Sequence, residues 1–325
     1  MSRFRAELSA VDVRCLLQKE SPHDIQLHLA AIRGDDVTLR KLLDSGRVHV
    51  DCIDEDSTTP LILAAAGGHA ACVSELLDQG ANPNARRITG TTALFFAAQA
   101  GYIDVAKILI RYGARIDGAS LDGGTPLFVA CQGGHIDMVK DLIALGANVH
   151  VTMKDRATPI FIASQNGHRA VLLTLLAEGG DPNICRIDGA SPLWIAAQMG
   201  HDHIVRVLLK NGARVDAVRC DGATPLFKAA HKGFSAVVHE LLKYKPNLYL
   251  LPNGETALHA AAMFGHLDVV KQLVAAGSDT AWKNQNGCTA LQVARQQNFT
   301  SVVEYLEERR TLNRAHVKQL NRITC

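Results

Sequence analysis

Two kinds of short apolar stretch alternate along this chain. In Ser191–His201, Ser-Pro-Leu-Trp-Ile-Ala-Ala-Gln-Met-Gly-His, the residues Leu193, Ala196 and Ala197 fall at i, i+3 and i+4. That spacing makes one narrow stripe on a helix, and small alanines let a second helix come close. The ends are marked too: Ser191 is an N-cap, Pro192 occupies the first helical position and Gly200 permits the positive φ that closes a helix. The next stretch, His201–Lys210, sets Ile204, Val205, Leu208 and Leu209 on one side, which predicts a second helix doubling back on the first. Asn211-Gly212-Ala213 and Asp221-Gly222 then read as a hairpin loop.

The unit recurs. Its cap residue stands at Thr59, Thr92, Thr125, Thr158, Ser191, Thr224, Thr256 and Thr289, giving six intervals of 33 residues and one of 32. A worn copy lies upstream, where Leu27-His28-Leu29-Ala30-Ala31 leads to Gly34 and then Leu42-Leu43, which brings the count to nine. Period and signature together resemble the ankyrin repeat: Thr-Pro-Leu at Thr59, Thr125 and Thr224, and Gly-His at Gly68-His69, Gly134-His135, Gly167-His168, Gly200-His201 and Gly265-His266. The resemblance implies an all-α solenoid of nine helix-turn-helix repeats with β-hairpin loops, spanning about residues 24–310. For function it implies a recognition scaffold for a protein or peptide, without chemistry of its own.

Both flanks depart from the register. Within 1–23, Leu8, Val11, Cys15 and Leu16 share a helical spacing and Ser21-Pro22 closes the segment, so a short capping helix or a tail is expected there. At the other end the last helix turns charged at Glu307-Glu308-Arg309-Arg310, as a terminal repeat requires. In the tail 311–325, Arg314, Lys318 and Arg322 continue a four-residue spacing from Arg310, a basic stripe if the helix goes on. The junction at Lys245-Pro246 replaces the usual Gly-Ala, and a weak interface is expected there.

A net charge of +2 gives no nucleic-acid footprint, and no apolar run approaches membrane-spanning length. Eight cysteines in no Cys-x-x-Cys pair, two of them (Cys72 and Cys131) at positions for small buried hydrophobes, suggest a reducing compartment. We therefore expect a cytoplasmic monomer with a possible nuclear fraction. Phosphate-loop, zincin and serine-hydrolase motifs are absent, so no catalytic residue, cofactor or metal is expected. The recurring Gly-His histidines would lie about 10 Å apart, too far to share an ion, and read as bonds at the turn between helices.

The fourth position of the Thr-Pro-Leu-His motif carries the strongest departure. It is Phe95, Phe128, Phe161, Trp194 and Phe227 in five consecutive copies, and four residues on stand Gln99, Gln132, Gln165, Gln198 and His231. Residues at i and i+4 share a helical face, so the copies predict an aromatic lane beside an amide lane. These ten residues are the candidate contact surface, lining the concave groove of repeats three to seven; the bland alternative is that the rings fill gaps between repeats. A second series, Asp122, Asp155, Asp188 and Asp221, marks the loop tips and reads as turn formation, or else as an acidic rim. The rival functional class is a substrate-recruiting adaptor of a larger complex such as a ubiquitin ligase, and an enzyme ranks below both.

Overall fold

The computed structural model describes residues 21–249 and 254–323, and two compact units divide the chain, Met1–Lys154 and Asp155–Cys325. In the first unit the inner helices α1 (Pro22–Arg33), α3 (Pro60–Gly67), α5 (Ala93–Ala100) and α7 (Pro126–Gly133) stack side by side. Each is followed by an outer helix packed against it: α2 (Asp36–Asp44), α4 (Ala70–Asp78), α6 (Ile103–Arg111) and α8 (Ile136–Ala144). In the second unit the inner row is α9 (Pro159–Asn166), α11 (Pro192–Met199), α13 (Pro225–Lys232), α15 (Ala257–Met263) and α17 (Ala290–Gln296). Its outer row is α10 (Arg169–Ala177), α12 (Asp202–Lys210), α14 (Ser235–Leu242), α16 (Leu267–Ala275) and α18 (Thr300–Ile323).

Each inner helix is started by its cap. The hydroxyls of Thr59, Thr92 and Thr125 accept the N–H three residues on, as do those of Thr158, Ser191 and Thr224 in the second unit. Small residues then allow close stacking. The pairs Ala64-Ala65, Ala97-Ala98, Ala130-Cys131, Ala196-Ala197, Ala229-Ala230 and Ala261-Ala262 are wholly buried. Glycine ends the helix for two reasons, which Gly101 illustrates. Its φ is +79°, and a Cβ there would lie 2.7 Å from the ring of His135, which belongs to the following pair.

The expected β-hairpins are not strands; among the described residues none is assigned. Each loop closes as a tight turn and gives its neighbour a single backbone bond. These run from Ile88 N to Asp56 O (3.0 Å) and Leu121 N to Thr89 O (2.8 Å) in the first unit, and from Ile187 N to Asp155 O (2.9 Å) and Cys220 N to Asp188 O (2.9 Å) in the second. One bond per tip is too few to make a ladder.

Two boundary readings change. Ser21-Pro22 does not close a segment: Ser21 caps α1 in a capping box with Asp24, and Pro22 is its first residue. The helix expected around Leu8–Leu16 lies outside the described residues. At the far end α18 runs unbroken from Thr300 to Ile323, so Arg310, Arg314, Lys318 and Arg322 follow one another at one-turn spacing along a single helix.

The Lys245-Pro246 junction differs from its counterparts in two measurable ways. In six other pairs the residue after the αL position donates back to the outer helix, as Ala81 N does to Leu76 O (2.9 Å) and Ala213 N to Leu208 O (3.0 Å). Pro246 has no N–H, so this bond is missing, and Lys245 holds φ +50° where the others have glycine. Restoring the common pair, Lys245→Gly with Pro246→Ala, is expected to stabilise the fold by about 1 kcal/mol, from relieved αL strain plus one hydrogen bond. Urea unfolding checks this, and an unchanged midpoint would show the junction to be relaxed.

Outer helices α12 and α14 are tied by one buried carboxylate. Glu240, with only 7% of its side chain exposed, accepts from Arg206 and Lys243, both at 2.9 Å. The Arg206 bond, aided by Lys243 and opposed by burial, pulls the Glu240 carboxyl down to about 2. A pKa lower folded than unfolded stabilises above the unfolded value of about 4.3, and that stability drains away as pH falls from there toward 2. Glu240→Gln is expected to cost on the order of 3 kcal/mol at pH 7 and progressively less on acidification, by parallel urea titrations of parent and variant.

Candidate functional site

The aromatic lane is largely interior. Phe128, Phe161 and Trp194 are exposed by only 6%, 2% and 3%, while Phe95 and Phe227 are half-buried. The reason is legible at the two copies that keep histidine or tryptophan. His259 Nε2 donates to Cys288 O at 3.1 Å, and Trp194 Nε1 donates to Ala223 O at 3.0 Å, in each case a carbonyl 29 residues ahead in the next loop. Tryptophan thus reproduces the histidine's bond across the repeat boundary, and the phenylalanines fill the same space without a donor. Cations cover the rings: Arg186 lies 5.5 Å from the Phe161 centroid, and Arg219 and Lys228 lie 5.1 and 5.6 Å from that of Trp194.

The second lane reaches solvent. Gln99 and Gln132 are exposed in the first unit, and Gln165, Gln198 and His231 are partly exposed in the second. His231 is the least free of them. Its ring meets that of Phe264 at a tilt, with the centroids 4.4 Å apart, and its Nδ1 is enclosed without a hydrogen-bond partner. Burial, reinforced by Lys228 and Lys232 and weakly opposed by Glu255, holds this imidazole below the ordinary histidine range, so it is neutral at pH 7. Contact capacity in the candidate set therefore resides in the glutamines more than in the rings.

Turn residues and histidines have internal work. Asp155, Asp188 and Asp221 each accept the N–H two residues on, from Ala157, Ala190 and Ala223. Their second oxygens are neutralised by arginines: Asp155 by Arg186 (3.1 Å), Asp188 by Arg219 (3.1 Å) and Asp221 also by Arg219 (3.3 Å). Burial pushes the Asp188 carboxyl up, but the Ala190 N–H and Arg219 outweigh it and leave it below the usual range. In this unit two arginines offset most of the charge of three tip aspartates, and the backbone bonds support the turn-forming reading of these residues. Of the Gly-His histidines, His69 and His135 donate to Ile32 O and Gln99 O at 3.0 Å in the first unit, and His201 and His266 to Gln165 O (3.1 Å) and His231 O (3.2 Å) in the second.

One row was missed by sequence reasoning, the position eight after the cap. In α11, α13 and the end of α15 it carries Met199, Lys232 and Phe264, and all three reach solvent. A signal existed, because Lys228 and Lys232 are the only charged residues on the inner helices from α3 to α15, but only alignment by cap position reveals it.

A family model described as ankyrin repeats in three copies matches residues 27–120, 116–184, 160–250 and 232–315. The chain is 48% identical over 74 residues to ankyrin repeat domain-containing protein 29 of Homo sapiens, and 50% identical over 70 residues to its Danio rerio namesake. Those stretches cover 23% and 22% of this chain, and about a quarter of each relative (25% and 24%). It is also 36% identical over 80 residues to the E3 ubiquitin-protein ligase KEG of Arabidopsis thaliana, which is 24% of this chain but 5% of that protein. No helix among the described residues is long and apolar enough to cross a membrane.

The Trp194 bond can be weighed directly. Trp194→Phe keeps a ring but leaves the Ala223 carbonyl without its donor, and is expected to cost about 1 to 2 kcal/mol. Chemical denaturation followed by circular dichroism measures it, and a loss under about 0.5 kcal/mol would mean the loop re-pairs elsewhere.

Proposed function

The chain belongs to the ankyrin-repeat family, and from that premise we propose that it is a non-catalytic scaffold binding a protein or peptide across the exposed C-terminal halves of its inner helices. The observation that carries this is the amide lane. Gln99 and Gln132 in one unit and Gln165 and Gln198 in the other face solvent from helices otherwise buried. An amide offers two donors and an acceptor and adapts to either polarity of a partner backbone, which suits the inner-helix face of each unit to peptide recognition. The rings beneath hold the lane in place, so their contribution is positional.

The adaptor reading gains little. Similarity to a ubiquitin ligase confined to 5% of that protein concerns repeat sequence, and the ligase activity does not come with it.

The glutamines separate binding from folding, because an exposed helical position tolerates substitution at nearly no cost, whereas Trp194 or Phe161 loses packing whatever its role. Gln165→Glu with Gln198→Glu is expected to leave the thermal transition within a few degrees of the parent while abolishing capture of partners from cell extract, read by mass spectrometry against the parent. An unchanged set of captured proteins would move the contact surface to the loop tips or outer helices.

A further inference from the structure

The inner helices are electrostatically one-sided. From α3 to α17 they contain no aspartate or glutamate, and their only lysines and arginines are Lys228, Lys232 and Arg295. Arg295 is compensated by Glu307 of α18. Lys228 and Lys232 form no ion pair among the described residues: Lys228 instead rests over the Trp194 ring, and the carboxylate on this face, Glu255, acts on His231 between them. Because His231 between them is neutral, the permanent positive charge of this face sits on the two lysines of α13.

Their neighbours are apolar. In the row eight residues after each cap, Lys232 stands between Met199 on α11, 47% exposed, and Phe264 at the end of α15, 43% exposed. Met199 and Phe264 thus flank the lysines along one row of three adjoining inner helices, an apolar side chain on either side of a positive one. We propose that the α11–α13–α15 face binds an acidic peptide in extended form, one carboxylate on Lys232 and Lys228, and a large apolar side chain on each side against Met199 and Phe264. Adjacent inner helices lie about 10 Å apart and an extended chain advances about 3.3 Å per residue, so the three contacts correspond to peptide positions roughly three residues apart. The recognised element is thus apolar-x-x-acidic-x-x-apolar. This rests on the inner-face reading above and adds to it the charge and spacing of the partner.

The test is selection of displayed random dodecapeptides on the full chain at low salt, followed by titration of the recovered consensus as a synthetic peptide. Sequences with Asp or Glu about three residues from large apolar residues on both sides are expected. Their affinity should fall about tenfold or more with Lys228→Glu plus Lys232→Glu, and fall as salt rises. Lys228→Gln plus Lys232→Gln, which adds no carboxylate to the face, serves if the Glu pair fails to fold and should show the same loss in smaller measure. Recovered peptides without acidic residues, yet lost on Gln165→Glu plus Gln198→Glu, overturn the charge assignment and leave the scaffold reading standing. Acidic peptides indifferent to both sets of variants overturn both. Tight binding of an oligo-deoxythymidine probe at the lysines, with no acidic peptide recovered, also overturns the proposal.

Discussion

Close approach of the inner helices through paired small residues is the constraint on which this fold depends. A helix pair cannot bury its own apolar stripe, so its two central positions must meet the next pair at short range, and only Ala, Cys or Ser fits there. The consequence is visible in burial: Ala64-Ala65, Ala97-Ala98 and Ala196-Ala197 are shut off from solvent, and Cys131 sits among them with its thiol pushed upward by burial. Helices held that close leave a gap at the third position after the cap. Something large and flat must fill it.

That gap explains the aromatic run without invoking a partner. Histidine fills it with a bond to the next loop, tryptophan does so with the same bond from a larger ring, and phenylalanine does so by volume alone. Arginines of the second unit's loops then cover the rings and neutralise the tip aspartates at once, which joins loop, ring and helix into one packed layer. Such a layer is rigid, and rigidity under a row of adaptable amides is what a binding scaffold requires.

The 33-residue register, the caps, the helix ends and the internal bonding of the Gly-His histidines were all readable because each is a local rule repeated many times. The amide lane was readable for the same reason, from i, i+4 geometry. Ring burial was readable only as one of two alternatives, gap filling or partner contact. Depth at Phe161 or Trp194 is set by how far the following pair slides over it, a tertiary quantity with no periodic signal. Ser21-Pro22 misled because a cap looks the same whether a segment ends or begins; the Asp24 side chain bonding back to Ser21 decides it. The loops misled in another way. Their turn residues are those of hairpins, but pairing stops after one bond per tip.

Charge on the inner helices follows from the same geometry. Positions seven and eight after the cap reach solvent in every copy from Thr59 to Thr289, and both lie in the last turn, where the helix dipole disfavours carboxylates and favours cations. That accounts for the absence of Asp and Glu from α3 to α17, and neutral glutamine satisfies the rule at no cost. It does not account for Lys228, which sits mid-helix beyond the reach of the dipole's end, nor for the large exposed Met199 and Phe264 on either side of Lys232. The outer helices, free of this constraint, carry both signs and pair them, as Glu240 does with Arg206 and Lys243. Two lysines without an ion pair thus stand among apolar side chains on α13, where the stacking rule does not require them.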